Sequence, residues 1–192
     1  MGGNALQIGN GVSPKDQLAA CLNTAKNVVE LVKQGHQIAI VHGNGPQVGE
    51  VVAISELAHK YDNNHAVLPF DVCSSYTQGY IGYHLQNAIR YELAKNSINK
   101  EVVSIITKVE IDKNDKAFSN PTKPIGSFYT KEQADELTAT ANHIMKEDAG
   151  RGYRRVIASP KPLDIIEKDV IKNLYKAGVI TICCGGGGIP VF

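Results

Sequence analysis

The segment that decides the fold is IAIVHGNGPQVG, residues 38–49. Its first four residues form a short apolar run, which is typical of a strand buried on both faces of a parallel sheet. The run ends in the glycine loop GNGPQVG at residues 43–49, and Val48, Val51, Val52 and Leu57 follow at helical spacing. The segment therefore predicts a strand, a glycine loop and a helix, which is the repeating unit of α/β proteins.

The same alternation continues on both sides of this segment. Before it, Ser13 and Pro14 are typical of a helix start, and Gly35 is typical of a helix end. After it, Thr130 and Gln133 form a capping-box pattern that predicts a helix to about residue 146. Other helices are predicted over residues 74–95 and from about residue 164. In the second of these, Ile166, Val170 and Leu174 should face the core. Other strands are predicted over residues 102–107, 156–158 and 179–184. We therefore expect one α/β domain over residues 1–192, a three-layer αβα sandwich with a mostly parallel sheet.

Composition excludes several classes of function. The 20 Lys and Arg residues nearly cancel the 19 Asp and Glu residues, so the broad basic field of nucleic-acid and anionic-membrane binders is missing. The apolar runs are far shorter than the roughly 20 residues of a membrane helix. The first residues lack the basic-then-apolar pattern of a signal peptide, and the four cysteines have no CxxC spacing. We expect a cytoplasmic protein with reduced thiols, without nucleic-acid or membrane partners.

Three glycine loops are the first indication of function. They are GGN at residues 2–4, GNGPQVG at residues 43–49 and GGGG at residues 185–188. Backbone without Cβ atoms can approach a ligand closely and direct several N–H groups at one anion. A single glycine loop is a simple tight turn about as often as it is an anion-binding loop, but three of them at one sheet edge favour a polyanionic ligand. The spacing fits neither a dinucleotide-binding fingerprint nor a Walker loop.

A long irregular excursion, residues 112–128, carries a candidate catalytic cation. Lys123 lies between two prolines in NPTKPIG, which restricts where its ammonium group can go. A positioned cation suits a transferring phosphoryl group, whereas an isolated lysine in a loop is more often merely solvated. Arginines in GRGYRR, residues 150–155, suggest an anion clamp or, preferably, charges at the rim of a strand. No histidine or cysteine spacing predicts a metal site or a covalent nucleophile.

Taken together, these blocks resemble the carbamate kinases, members of the amino acid kinase superfamily. The resemblance rests on GGNAL at residues 2–6, QGYIGYHLQNAI at 78–89, FSNPTKPIGSFYT at 118–130, EDAGRGYRRV at 147–156, SPKP at 159–162 and GGGGIPV at 185–191, together with GNGPQVG. The NPTKPIG and GRGYRRV blocks distinguish it from other small-acid kinases such as acetylglutamate kinase, a weaker alternative. The resemblance implies an amino acid kinase-like fold with a small protruding subdomain at about residues 112–150.

The resemblance also implies an activity and a set of site residues. Carbamate kinases transfer a phosphoryl group reversibly between carbamoyl phosphate and ADP, giving ATP and carbamate, with Mg²⁺, in arginine fermentation through the deiminase pathway. They are usually cytoplasmic homodimers. By resemblance, Lys123, Gly3 and Asn4 are catalytic. The implied phosphate and carbamate site comprises Gly2, Gly3, Asn4, Gly43, Asn44, Gly45, Gly185, Gly186 and Gly187.

Two departures from the family pattern create an alternative. Family members have a strand before the GGN loop and a carboxyl-terminal nucleotide-binding region after GGGGIPV, and we expect this chain to lack both. Smaller departures are Lys108, where glutamine is more frequent, and Thr77, where serine is frequent. The alternative is therefore a catalytically inactive fragment of a carbamate kinase that acts at most as a binding or interaction module.

Overall fold

The computed structural model describes residues 1–2 and 13–192. The first half contains helix α1 (Pro14–Lys33), strand β1 (Ala39–Ile40), helices α2 (Gly45–Tyr61) and α3 (Phe70–Lys95), and strands β2 (Val102–Ser104) and β3 (Lys108–Ile111). The second half contains β4 (Lys123–Tyr129), α4 (Lys131–Ala141), β5 (Met145–Glu147), β6 (Tyr153–Ile157), β7 (Pro162–Ile165), α5 (Lys168–Lys176), β8 (Ile180–Ile182) and β9 (Ile189–Val191). No helix in the described part of the chain is long and apolar enough to span a bilayer.

A parallel sheet of order β1-β8-β2 lies at the centre of the fold. Strand β8 pairs with β1 on one side, with Ile40 opposite Ile182, and with β2 on the other, with Val102 opposite Ile180. Both pairings are parallel, which confirms the parallel α/β arrangement predicted from the sequence. Because parallel strands end at the same sheet edge, the loops that follow β1 and β8 leave the sheet side by side.

Helices α1 and α3 pack against each other and against this sheet to form the main hydrophobic core. Val29 on α1, Leu85 and Ile89 on α3 and Ile180 on β8 are almost completely buried within it. Full burial of one such side chain contributes roughly 1.5–3 kcal/mol. The face of α3 that carries Leu85 and Ile89 therefore fixes this helix firmly, and its amino-terminal half is held in place beside the loops.

Two further three-stranded sheets complete the structure. One has the order β7-β3-β9, and the other is the antiparallel sheet β4-β6-β5. The antiparallel sheet contacts α2 through a second apolar cluster that contains Val48, Val52, Cys73 and Ile125. Strand β4 therefore lies against the same helix that follows the GNGPQVG loop. The division of the chain into a main body and a protruding subdomain at about residues 112–150 stays a prediction.

Two predicted helix starts are confirmed in detail. The Ser13 hydroxyl accepts a hydrogen bond from Asp16 N, and Pro14 is the first residue of α1. Thr130 and Gln133 form the reciprocal capping box before α4. These starts depend on hydrogen bonds within four consecutive residues, so the local sequence is sufficient to define them.

Two predictions about helices are wrong. Helix α4 ends at Ala141, where Asn142 adopts a left-handed conformation, and β5 then pairs with β6 instead of extending the helix to residue 146. Helix α5 begins only at Lys168, because residues 162–165 form β7 against β3. Ile166 and Val170, predicted to face the core, are 49% and 54% exposed. The period of the sequence was correct for an amphipathic helix, but of the three residues predicted to face the core only Leu174 is partly buried.

Candidate functional site

The loops that follow β1 and β8 converge at one edge of the central sheet. The parallel ladder continues beyond the strands, with Cys183 N donating to Ile40 O at 2.9 Å and Gly186 N donating to His42 O at 2.7 Å. The second of these bonds joins the GGGG loop to the GNGPQVG loop. The two glycine loops therefore form one continuous surface rather than two separate turns.

Asn44 is the polar side chain at the point where the two loops meet. It stands at the cap position of α2, but its side-chain Nδ2 donates to Thr77 Oγ1 on α3 at 2.9 Å instead of capping the helix. A Cβ atom at Gly186 would lie 2.5 Å from the Asn44 amide, and Gly186 has a φ of +66°. Gly186 is therefore required both by its backbone conformation and by the position of Asn44.

Gln78 fixes the GGGG loop from beneath. Its Nε2 donates to Gly185 O at 2.9 Å and to Thr107 O at 3.1 Å, and its Oε1 accepts from Thr107 N at 2.8 Å. Thr107 in turn accepts a hydrogen bond from Cys184 N through its hydroxyl oxygen. Buried polar groups with this many partners define one geometry, because every alternative leaves some of them unpaired.

Lys123 approaches the loops from the antiparallel sheet. It is the first residue of β4, and its Nζ donates to Gly186 O at 3.2 Å. Burial of the ammonium group lowers the pKa of Lys123 below the usual lysine value. The chain thus holds a half-buried cation directly beside the glycine loop, and a bound anion would compensate its lost hydration.

These groups surround a cleft with a volume of about 170 Å³. Its floor is formed by the glycine loop, and apolar side chains from α2, α3, β3 and β6 form much of its walls. Among the described residues, those that line it include a lysine but no Asp or Glu. The lining polar residues and glycines are Asn44, Ser74, Lys123, Ser159, Gly185, Gly186, Gly187 and Gly188. The cleft therefore suits a small anion.

The structure brings most of the predicted site residues together. Asn44, Lys123, Gly185, Gly186 and Gly187 line the cleft, and Gly43 and Gly45 flank Asn44 in the chain. Gly2 is exposed, and its neighbour Met1 accepts a hydrogen bond from Gly43 N through its carbonyl oxygen. Gly3 and Asn4 lie outside the described residues.

The GGGG loop uses its amides differently from the expectation that they face an anion. Gly186 N, Gly187 N and Gly188 N donate to carbonyl oxygens of His42, Cys184 and Gly185. The glycines are needed for the shape of the loop, and its N–H groups at these three positions already have acceptors. The first turn of α2 is the better source of free amides, because the opening N–H groups of a helix have no acceptor within it. Gly45 and Gln47 supply them, whereas Pro46 has none.

Two arginines of GRGYRR, Arg154 and Arg155, form neither an anion clamp nor a solvated rim, whereas Arg151 is an exposed charge that pairs with Asp148. Arg154 donates to Gly126 O from both Nε and Nη2, and Arg155 pairs with Glu56 on α2. Their side chains are 16% and 28% exposed and do not line the cleft. They instead connect the antiparallel sheet internally and to α2.

Sequence reasoning missed Gln78 and Thr107, which support the site without lining it. Gln78 is a polar residue three and seven positions before Ile81 and Leu85, within the buried stripe of α3. A polar residue in such a stripe needs a buried hydrogen-bond partner. This position of Gln78 is the feature of the sequence that indicates a structural role. The partners themselves are 29 and 107 positions away in the chain, so the sequence alone did not identify them.

An α/β fold with glycine loops and a lysine around a cleft without carboxylates is typical of proteins that bind phosphorylated small molecules. The sequence matches the amino acid kinase family over residues 1–191, and this chain belongs to that family. It is 58% identical over 192 residues to the carbamate kinase of Clostridium perfringens (strain 13 / Type A), covering all of this chain and 61% of that protein. It is 52% identical over 191 residues to the carbamate kinase-like protein YqeA of Escherichia coli (strain K12), of which it covers 60%.

Solved structures agree with these relatives. The carbamate kinase of Giardia lamblia bound to citric acid superimposes with a TM-score of 0.91 at 37% identity, covering 98% of this chain and 60% of that one. The same enzyme bound to AMP-PNP gives a TM-score of 0.84, with the same coverage. The predicted resemblance to carbamate kinases is thereby confirmed. The chain spans about 60% of the length of the curated relatives that it matches.

Proposed function

We propose that this chain forms the phosphate- and carbamate-binding part of a carbamate kinase, which transfers a phosphoryl group reversibly between carbamoyl phosphate and ADP. The observation that carries the proposal is the position of Lys123, whose Nζ lies 3.2 Å from Gly186 O in the same cleft as Asn44. The similarity to carbamate kinases over the whole chain supports the choice of substrate.

The reaction needs few groups that exchange protons. In the direction of ATP synthesis, a β-phosphate oxygen of ADP attacks the phosphorus of carbamoyl phosphate, and the bond from that phosphorus to the carbamate oxygen breaks. Carbamate leaves with the bonding electron pair as a stable anion, so no general acid is required. What the protein must supply is alignment of the two oxygens and neutralisation of the charge on the phosphoryl group.

The cleft residues match those two tasks. The Lys123 ammonium group donates to the oxygens of the transferring phosphoryl group, and its restricted position avoids reorganisation during the reaction. Helix α2 begins at Gly45, next to the cleft residue Asn44, so the positive end of its dipole lies beside the same charge. Asn44 and the loop from Gly185 to Gly187 form the wall against which the carbamoyl phosphate lies. By resemblance to the family, Gly2, Gly3, Asn4 and Gly43 belong to the same site.

Mg²⁺ does not fit the residues of this cleft. Magnesium prefers carboxylate and other oxygen ligands in octahedral geometry, and the cleft lining within the described residues includes no Asp or Glu. We therefore assign no step of the reaction in this chain to the metal. Nucleotide binding is proposed by similarity, since one related structure is that of the Giardia enzyme with AMP-PNP.

The finer biological role rests on the same similarity. We place the enzyme in the cytoplasm, as a homodimer, in arginine fermentation through the deiminase pathway. The alternative, a catalytically inactive fragment that only binds, differs from this role in one measurable property, which is turnover.

The test is ATP formation by the purified 192-residue chain with carbamoyl phosphate, ADP and Mg²⁺, compared with a blank without protein. Carbamoyl phosphate breaks down unaided, so ATP is the proper readout. ATP from the wild-type chain and from Lys113→Ala, an exposed lysine outside the cleft, supports transfer by this chain. Lys123→Ala should then give at least a hundredfold less, roughly the effect of one removed electrostatic donor. Wild-type rates in Lys123→Ala would contradict the site, and no ATP from a folded wild-type sample would favour the inactive fragment.

A further inference from the structure

A polar cluster outside the cleft joins the antiparallel sheet to α2. One carboxylate oxygen, Glu56 Oε1, accepts hydrogen bonds from Arg155 Nη1 at 3.1 Å and from His143 Nε2 at 3.2 Å. The three residues come from α2, from β6 and from the link between α4 and β5. His143 is 10% exposed at its side chain, and burial together with the positive charge of Arg155 lowers its pKa. At neutral pH the neutral imidazole therefore donates its Nε2 proton, and Arg155 supplies the countercharge of Glu56.

The cluster is connected to Lys123 through the register of the sheet. Strands β4 and β6 are antiparallel, with Ile125 opposite Arg155 and Lys123 opposite Ile157. The backbone of Arg155 is therefore paired with a residue only two positions from Lys123. A shift of β6 relative to α2 would carry β4 with it, because paired strands move together.

The same face of α2 contacts β4 directly. Gly49, Val52 and Glu56 follow one another at spacings of three and four, so they lie along one side of the helix. Gly49 approaches Gly126 on β4, and Val52 packs in the apolar cluster with Ile125. Helix α2 also begins beside Asn44 at the cleft. It is thus the element that relates the position of β4 to the position of the glycine loops.

Of the ion pairs among the described residues, only those of Glu56 join the antiparallel sheet to α2. The apolar cluster and the Gly49–Gly126 approach also join them, but such contacts permit sliding more readily than a directional, half-buried ion pair does. Lys123 itself reaches the glycine loop through one hydrogen bond. Its placement must therefore come mainly from the strand that carries it.

We propose that Glu56 and Arg155 are positioning residues, and that their ion pair fixes β4 against α2 so that the Lys123 ammonium group is held at Gly186 in the cleft. The role of Lys123 toward phosphate rests on the proposed function. The placement of Lys123 by Glu56 and Arg155 does not rest on it, because this placement is a property of the chain without substrate.

The experiment follows the titration of Lys123 itself. Lysine labelled with ¹³C at Cε is incorporated into the 192-residue chain, its signals are followed by NMR from neutral to alkaline pH, and Lys123→Arg assigns the relevant signal. In the wild-type chain we expect this signal to titrate below the usual lysine value, because burial lowers the pKa of Lys123. In Arg155→Ala we expect its midpoint to rise by about one pH unit, because a loosened β4 exposes the ammonium group to water. Arg155→Lys keeps the charge and should restore most of the wild-type midpoint.

Controls separate positioning from general damage. Arg151→Ala removes an exposed arginine of the same sheet region, one that pairs with Asp148 rather than α2, and it should leave the Lys123 midpoint unchanged. Glu56→Gln keeps the side-chain shape but removes the charge of the ion pair. It serves as the test if Arg155→Ala fails to fold, and we again expect a raised Lys123 midpoint. A wild-type Lys123 midpoint in the folded Arg155→Ala or Glu56→Gln chain would overturn the proposal. Since the titration needs neither nucleotide nor turnover, a chain that makes no ATP still tests it.

Discussion

Gly49 on α2 and Gly126 on β4 are in direct backbone contact. A Cβ atom added at Gly49 would lie 2.2 Å from Cα and 2.5 Å from N of Gly126. Both atoms belong to backbone, so a flexible side chain cannot relieve the clash. This contact sets how closely the strand that carries Lys123 approaches the helix that begins at the cleft.

We expect Gly49→Ala to destabilise the protein by about 2 kcal/mol, as overpacking at a rigid contact does. Urea unfolding of the two proteins measures the difference. Gly79→Ala is the matched control, since Gly79 lies in α3 with no heavy atom within 4 Å of an added Cβ. That substitution should stabilise the protein by roughly 0.5–1 kcal/mol. Stabilisation by both substitutions would show that α2 and β4 are further apart than the structure has them.

Removal of the Gln78 amide should weaken both the fold and the cleft. Gln78→Leu removes the buried acceptor of Thr107 N and the bonds from Gln78 Nε2, although Gly185 O and Thr107 O still accept from Gly188 N and Ile189 N. A buried donor without an acceptor costs about 1–3 kcal/mol. Thermal unfolding gives the loss of stability, and phosphate-induced NMR shifts of the glycine-loop amides report the site. Asn87→Leu, at an exposed position of the same helix, should weaken neither. An unaltered melting temperature in Gln78→Leu would contradict the role of Gln78 as a support of the loop.

The sequence predicted most strongly what depends on neighbouring residues. The caps at Ser13 and Thr130 are made within single turns, and the parallel order of strands follows from the alternation of strands with helices. Lys123 was identified as a candidate because two prolines restrict its loop. Its actual position at Gly186, 63 residues further along the chain, depends on how the antiparallel sheet lies on α2.

What the sequence did not predict depends on contacts between distant segments. The period of residues 164–174 indicates an amphipathic helix, but pairing of β7 with β3 takes residues 162–165 into a sheet. The amides of the GGGG loop were expected to face an anion, yet His42 O competes for Gly186 N because β1 and β8 are paired. Neither competitor lies near its target in the chain, so local patterns could not reveal them.

Acidification should destabilise the protein through His42. Its ring is buried beside the glycine loop, and its Nδ1 lies 2.9 Å from Gly43 O. Burial lowers the pKa of His42, the hydrogen bond to Gly43 O raises it less, and the positive amino terminus lowers it further. The folded state therefore binds fewer protons than the unfolded state as the pH falls below about 6.5, and stability decreases in that window. His84 and His143 shift in the same direction and add to the loss.

The His42 contribution is isolated by His42→Asn, whose amide nitrogen can replace Nδ1 as a donor. Between pH 7 and pH 5 the free energy of unfolding should fall by about 1 kcal/mol less in this variant than in the wild-type protein. His36→Asn, at an exposed loop position, is the control for a His-to-Asn substitution as such. Equal pH dependence in His42→Asn and the wild-type protein would show that His42 does not titrate in this way.

Cys184 should be the most reactive thiol of the chain at neutral pH. It is partly exposed, whereas Cys21, Cys73 and Cys183 are buried. A hydrogen bond from the Cys183 thiol lowers the pKa of Cys184 to about 7, while burial raises the pKa of Cys21 to about 11. The thiolate is the nucleophile, so limited iodoacetamide at pH 7, followed by peptide mapping, should find the label on Cys184 first. Earlier labelling of Cys21 or Cys73 in the folded protein would contradict this order.

The causes of this reactivity predict opposite effects for two neighbours of Cys184. Cys183→Ala removes the thiol that stabilises the Cys184 thiolate, so the pKa of Cys184 rises and its alkylation at pH 7 slows. Glu167 raises the pKa of Cys184 through its negative charge. Glu167→Gln removes that charge but keeps an oxygen that can accept from Lys108 N, and alkylation should become faster. Both rates are read at Cys184 by mass spectrometry, with the same proteins unfolded in guanidinium as the reference. Unfolding separates Cys184 from its neighbours in every variant. Alkylation rates that differ among the folded proteins but not among the unfolded ones must therefore arise from contacts around Cys184.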